Sequence, residues 1–442
     1  MALYSPLSLR RRWQKQLPFR NFVYPFLVLY LAINTFWLCY DATITSNQRY
    51  RPKRETVHVT ESSPLSPFYP PGMEYVGFKR AFPLWSHDFP CGPLEAEYTM
   101  RTRGPATEGI FYIKDLEASS AIFSGVTARI ARSMGRRQQQ KNGERTIAND
   151  MLRNTTASVC TTRLISQRAI RFRDRLPHKS FLWSVVREPV ARLVSKYYQF
   201  GHVKNKGSAL KTTLSRFQNY VFNSENQDYG FYFRSLGINR KMNPYQKEHE
   251  TDTRELLESY DFLGVSERMD ESLAVLKIIL NLDIQDILYL PTQKASSRMT
   301  NTAPFVGSDG GNVEYYMSWG KGDCKPISKP EVPLEMKEWF YSEEFEAFIE
   351  ADIMFYKAVN ASLDDTISKL GRELVENTVK QLQWAQKAVQ KECLNIRFPC
   401  SSEGERQKET DCLFNNIGCG YKCLDEFGEK LSHNPGFQAL FK

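Results

Sequence analysis

The sequence predicts an α/β fold, a parallel central sheet flanked by helices. Three observations carry this. The run Ser180-Phe181-Leu182-Trp183-Ser184-Val185-Val186 has the length and the aromatic and β-branched content of a buried strand. Arg187-Glu188-Pro189 then turns the chain into a helix expected over Val190 to Phe200. The same order occurs earlier, with a strand expected over Gly109 to Ile113 and a helix over Ser120 to Met134. Ile122, Phe123, Val126, Ile130 and Met134 share one face of that helix. Strands alternating with helices imply parallel pairing.

In chain order, residues 1–21 form a basic tail in which Arg10, Arg11, Arg12, Lys15 and Arg20 face no acidic residue. Phe22 to Tyr40 is apolar and uncharged. As a helix it spans roughly 28 Å, enough for the hydrocarbon core. It exceeds the apolar region of a signal peptide, and Asp41-Ala42-Thr43-Ile44 offers no small-residue cleavage site. The expectation is a transmembrane signal anchor over 22–40, the alternative a cleaved signal and a secreted protein. Positive charge before the span places the N-terminus in the cytosol and everything after residue 40 in a lumen.

Residues 41–105 are expected as a stem, because Thr60-Glu61-Ser62-Ser63-Pro64-Leu65-Ser66-Pro67 and Pro70-Pro71-Gly72 carry neither helix nor strand period. Trp85 and Phe89 are expected to pack on the domain that follows, residues 106–390. Within it, Gly135 to Arg145 is polar, basic and Gln-rich, and is expected as an exposed loop. His202 to Asp252 is polar and aromatic, with Phe231-Tyr232-Phe233 in its middle, and is expected to form helices and loops around a cleft. Tyr260 to Val265 and Ile287 to Leu290 are expected as strands. Leu273, Leu276 and Leu280 mark a helix between them. Helices are expected over Phe345 to Val359 and Leu370 to Gln390, before a Cys-rich extension, residues 391–442.

A chain of 442 residues with 41% hydrophobic content can bury a large core. Its net charge of +9 is diffuse. It suits an anionic cofactor or an acidic glycan, and no nucleic-acid recognition motif accompanies it. Of nine cysteines, Cys39 falls in the expected span and the other eight follow it. Five crowd the C-terminus: Cys393, Cys400, Cys412, Cys419 and Cys423. In a lumen they read as disulfides. The rival, a zinc site, lacks paired C-x-x-C spacing and has only His433 nearby, so no metal is expected. Asn154-Thr155-Thr156 and Asn360-Ala361-Ser362 are glycosylation sequons.

Chemistry concentrates at two strand ends. Arg187 stands at a strand's C-terminal edge, where open α/β sheets bind ligands, and Ser195 follows two helical turns later. A guanidinium fork with a nearby hydroxyl clamps phosphate. This stretch resembles the 3′-phosphate motif of sulfotransferases that use 3′-phosphoadenosine-5′-phosphosulfate (PAPS). The resemblance implies that Arg187 and Ser195 hold the 3′-phosphate. Lys114-Asp115-Leu116-Glu117-Ala118-Ser119-Ser120-Ala121 joins the first strand to its helix, a place where amides and hydroxyls bind anions. It resembles the 5′-phosphosulfate loop of carbohydrate sulfotransferases, which implies that Ser119 and Ser120 bind the cofactor. The alternative for both serines is a plain helix cap. Aligned without gaps, Leu116 stands where that loop carries its lysine, and Lys114 is the candidate for the role.

A third stretch, Asp261 to Leu273 with Asp286-Ile287-Leu288-Tyr289-Leu290, resembles Golgi galactose-3-O-sulfotransferases and uronyl sulfotransferases. Asp352-Ile353-Met354-Phe355-Tyr356 is similar to their closing helix. The resemblance covers about residues 109 to 360. It implies a fold of the P-loop nucleotide-kinase type and transfer of a sulfuryl group from PAPS to a carbohydrate hydroxyl in the Golgi lumen, with no metal.

The catalytic base is open. Ser124 stands where some relatives have Glu on the first helix, and His178 precedes its strand. Glu117, His202, His249 and Glu267 remain, and Glu117 is preferred because its loop would touch the reactive sulfate. Lys294 and Arg298 are further candidates to reach the nucleotide or an anionic glycan. A non-catalytic glycan-binding protein of the same fold is the alternative, motivated by Leu116 and Ser124. A metal-dependent glycosyltransferase would need a D-x-D motif, and the nearest stretch, Glu350-Ala351-Asp352, lies in an expected helix. The sequence names neither the acceptor sugar nor an oligomeric state.

Overall fold

Four parallel strands form one sheet in the order β2-β1-β3-β4. They are β1 (Gly109–Lys114), β2 (Thr162–Ser166), β3 (Ser180–Val186) and β4 (Phe262–Val265). In this computed structural model the described residues are 75–87, 109–114, 120–141, 162–166, 175–198, 213–222, 229–237, 249–290, 315–317, 323–326, 332–401, 403–413 and 417–433. The register pairs Ile113 with Ile165 and with Ser184, and Val186 with Val265. Every residue of β3 is buried, as an interior parallel strand covered on both faces must be. Tyr112, Trp183, Phe262 and Phe123 stack through the core, with centroids 4.8 Å apart for Tyr112–Trp183 and 6.0 Å for Phe123–Trp183.

Helix α1 (Ser120–Lys141) follows β1 and packs on β1 and β2. Helix α2 (Pro189–Lys196) follows β3. Then come α3 (Leu214–Phe222), α4 (Phe231–Leu236) and α5 (His249–Ser259), which leads into β4. Helix α6 (Met269–Ile279) follows β4. A two-stranded antiparallel piece, β5 (Tyr315–Met317) with β6 (Cys324–Pro326), precedes α7 (Leu334–Trp339), α8 (Glu343–Leu370) and α9 (Arg372–Glu392). Helix α10 (Tyr421–Ser432) is the last described element.

Helix α2 does not join the sheet's core. Val190, Leu193, Val194 and Tyr197 enter a second, aromatic cluster with Phe217, Met336, Trp339, Phe340 and Phe345. Apolar positions three and four residues apart on α2, α3 and α8 supply that seam. The sheet therefore ends, beyond β3, in a turn gripped between two cores.

Gly264 explains part of the Asp261 to Leu273 pattern. A Cβ there would stand 3.0 Å from the Ser272 Cβ, so strand and helix approach as closely as glycine permits. The Ser272 hydroxyl accepts the Val265 N–H at 2.9 Å and donates to the Val265 carbonyl at 3.1 Å. Asp261 sits at the opposite edge, where its carboxylate accepts the Leu182 N–H at 2.7 Å and pairs with Arg175 at 2.8 Å.

Two expectations are corrected, and one strand was not anticipated. The expected loop from Gly135 is helical to Lys141, because Arg and Gln are good helix formers and polarity alone does not end a helix. The expected strand Ile287 to Leu290 is instead a 3₁₀ turn over Ile284–Ile287 with an extended exit. Reciprocal capping between Asp283 and Asp286 makes that turn, and the Arg129 guanidinium takes the Leu288 carbonyl at 2.5 Å. Strand β2 was not expected, since only Leu164 and Ile165 break its polar sequence.

The segment expected as a stem contributes a strap, residues 75–87. Phe82 donates its N–H to Thr366 at 2.8 Å and meets the Phe262 ring at 5.4 Å. Trp85 meets Phe181 at 5.5 Å, as expected; Phe89 lies outside the described residues. Disulfides join Cys324–Cys400, Cys393–Cys423 and Cys412–Cys419. Leu424, Phe427 and Leu431 of α10 belong to the main core. Gly125 of α1 meets the Cys412–Cys419 loop so closely that a Cβ would stand 2.7 Å from the Gly418 nitrogen. No helix among the described residues is long and apolar enough to cross a membrane, and the expected span 22–40 lies outside them.

Candidate functional site

Parallel pairing delivers three chain segments to one edge of the sheet. Lys114 ends β1, Arg187 follows β3, and the 3₁₀ turn Ser266–Arg268 follows β4. Ile113 lies opposite Ser184, so Lys114 and Arg187 are one strand apart across the sheet and two residues apart along it. That spacing puts their Cα atoms about 8 Å apart. Two cationic residues on neighbouring strand ends are within reach of one ligand bearing two anionic groups.

The turn at Arg187 is answered almost atom by atom. The Tyr232 hydroxyl accepts the Arg187 N–H at 2.9 Å and donates to the Arg187 carbonyl. The Glu188 N–H bonds Glu267 Oε1 at 3.0 Å. Pro189 has no N–H and suits the first helical position. Val190 and Ala191 donate their N–H groups to the Glu188 carboxylate at 3.2 and 2.6 Å. The Arg192 N–H bonds the Glu188 carbonyl at 2.9 Å. The opening amides of α2 are thus used within the protein, and anion binding at this tip falls to side chains. The Arg187 side chain retains 12% of its exposure, with Nε 4.0 Å from Glu267. Half-buried Ser195 lies seven residues past Glu188 on α2, roughly 10 Å along the axis.

Glu188 is the electrostatically unusual group here. Desolvation pushes its carboxyl up to about 7, against the two amide bonds and Arg187, which lower it, and with Glu267, which raises it. Glu267 also accepts the Tyr356 hydroxyl at 3.2 Å. It is one of the residues considered as a base, and it stands at the same edge as Arg187, with Oε1 4.0 Å from the Arg187 Nε.

The second tip differs. Helix α1 opens at Ser120 with no acidic residue in its first turn, so its positive dipole end is not compensated by its own sequence. Glu117 and Ser119 lie outside the described residues, and of Ser120 only its place as the first residue of α1 is described. His202, Lys294 and Arg298 also lie outside them.

Other candidates fall elsewhere. His178 lies in the turn before β3, at the opposite end of the sheet, with its ring 6.4 Å from His87. His249 opens α5, bonds Tyr229 at 3.3 Å, and is pushed below the ordinary imidazole range by burial. Ser124 is fully buried in α1. Asp352 accepts the Phe231 and Tyr232 N–H groups at 3.2 and 3.0 Å and lies 3.6 Å from Arg192. Among the described residues no group of three or more His, Cys, Asp or Glu is placed to hold a metal ion.

The sequence reading missed Glu188, Tyr232 and Tyr356 as parts of this site. Glu188 had a signal, an acidic residue just before Pro at a helix start. Tyr232 and Tyr356 had none, because their roles depend on partners far along the chain. No protein-family model matches this chain, and no curated protein matches it.

Proposed function

We propose that the chain is a PAPS-dependent carbohydrate sulfotransferase of the P-loop nucleotide-kinase type, anchored by residues 22–40 in the Golgi membrane with its catalytic domain in the lumen. One observation carries the reading: Lys114 and Arg187 leave adjacent parallel strands at the same edge, each leading into a helix. A doubly phosphorylated adenosine needs cationic contacts at two separated groups, and two cationic residues at one edge support that reading.

In this reading Arg187 and Ser195 hold the 3′-phosphate, while Lys114, Ser119, Ser120 and the start of α1 face the 5′-phosphosulfate. An acceptor hydroxyl oxygen attacks sulfur, and the bond from sulfur to the phosphate oxygen breaks. The electron pair leaves with 3′-phosphoadenosine-5′-phosphate (PAP), and the acceptor proton passes to a base. Lys114 neutralises the charge growing on the leaving phosphate. Glu117 is the proposed base, and Glu267 is the alternative among the described residues.

The test incubates the full chain with radiolabelled PAPS and a panel of glycans. Label transfer that is lost in Arg187→Ala supports the proposal; absence of PAP binding by calorimetry refutes it. The second reading, a non-catalytic glycan-binding relative, rests on Leu116. PAP binding without transfer, together with transfer gained by Leu116→Lys, would establish it instead.

A further inference from the structure

We infer that Tyr232, held by Asp352, is a positioning residue for Arg187, and that together they set selectivity for a nucleotide bearing a 3′-phosphate. The inference rests on the nucleotide reading above and names the device that makes Arg187 selective.

Arg187 is the first residue beyond the ladder, since Val186–Val265 is the last pair of β3 with β4. No described strand pairing extends to Arg187 itself. One phenol takes both roles, accepting from the N–H at 2.9 Å and donating to the carbonyl. The hydroxyl therefore acts as one more rung and continues the strand's geometry through Arg187. This settles the direction in which the guanidinium leaves the sheet.

Tyr232 is itself held. It is fully buried, its N–H bonds Asp352 Oδ1 at 3.0 Å, and the neighbouring Phe231 N–H bonds Oδ2 at 3.2 Å. Asp352 lies 3.6 Å from Arg192, whose guanidinium stacks over Phe231 at 3.7 Å. Arg192 sits on α2, one turn beyond Glu188. The contacts close a ring: Arg187 to Tyr232, Tyr232 to Asp352, Asp352 to Arg192, and Arg192 back through α2 to Arg187. Arg192 and Asp352 retain 1% and 2% of their side-chain exposure, so water cannot substitute for a member of the ring. A buried charge pair of this kind serves specificity of arrangement better than stability.

The experiment compares PAP with adenosine 5′-monophosphate, which lacks the 3′-phosphate, by calorimetry on the full chain. The variants are Tyr232→Phe, Asp352→Asn and Arg187→Ala. Tyr232→Phe keeps the ring and removes only the hydroxyl. It is expected to weaken PAP about tenfold while leaving the monophosphate unchanged, the loss of one to two hydrogen bonds' worth of ordering. Asp352→Asn is expected to move the ratio of the two affinities in the same direction. Arg187→Ala is expected to abolish the preference for PAP. If Arg187→Ala abolishes the preference and Tyr232→Phe, folded by circular dichroism, leaves it intact, the positioning role is overturned and the nucleotide reading stands. Equal weakening of both ligands in Tyr232→Phe also overturns the positioning role, since a merely structural part would behave that way. If the wild type binds PAP no better than the monophosphate, the nucleotide reading fails and this inference with it.

Discussion

Glu188→Gln isolates the carboxyl that stands beside Arg187. Glu188 caps α2 through two amides, yet desolvation outweighs them and holds its carboxyl at about 7. In the unfolded chain the same group titrates near its ordinary value of about 4.3. Between these values the folded protein binds more protons than the unfolded one, so stability falls as pH rises through the window. The contribution is full below about pH 4 and gone above about pH 7. A shift of this size corresponds to at most about 3.7 kcal/mol. Glu188→Gln removes the titration while retaining one amide acceptor. Urea unfolding at several pH values from 4.5 to 7.5 would compare the two proteins, with other groups cancelling in the difference. The stability of the variant relative to wild type is expected to rise with pH by about 2 to 3 kcal/mol, then level off. A difference that is flat across the window would refute the argument that desolvation dominates at this cap.

Ser272→Ala leaves the buried Val265 N–H without its hydroxyl partner and is expected to cost about 1 to 3 kcal/mol by urea unfolding. Gly264→Ala presses a methyl onto Ser272 and is expected to destabilise by about 1 to 3 kcal/mol; an unchanged midpoint would show that strand and helix can separate at no cost. Replacing both Cys393 and Cys423 by serine opens a bridge between residues 30 apart in sequence and is expected to lower stability by about 2 to 4 kcal/mol, read as the loss of melting temperature.

Strand β3 and the turn after it were legible because an interior parallel strand is a continuous apolar run and a Pro after an acidic residue marks a helix start. The long helices α8 and α9 were legible from their apolar faces, and Gly371 at φ +95 separates them. Strand β2 was not, since at the sheet's edge its backbone pairing to β1 does not require a long apolar run. Ile287 to Leu290 reads as a strand on side chains alone; reciprocal capping by Asp283 and Asp286 decides otherwise. Arg187 was legible as a residue at a strand end. Its setting was not, because Tyr232, Glu267 and Asp352 come from distant elements and acquire meaning only when the sheet brings them to one edge.

The close approach of Gly125 to Gly418 links maturation to assembly at the sheet edge. Helix α1 can seat against the Cys412–Cys419 loop only after that loop has been synthesised. The helix that opens at Ser120 thus depends on a segment made nearly three hundred residues later. Reducing the Cys412–Cys419 bridge would act through Gly125 on the helix that follows Lys114, without touching the strand end itself.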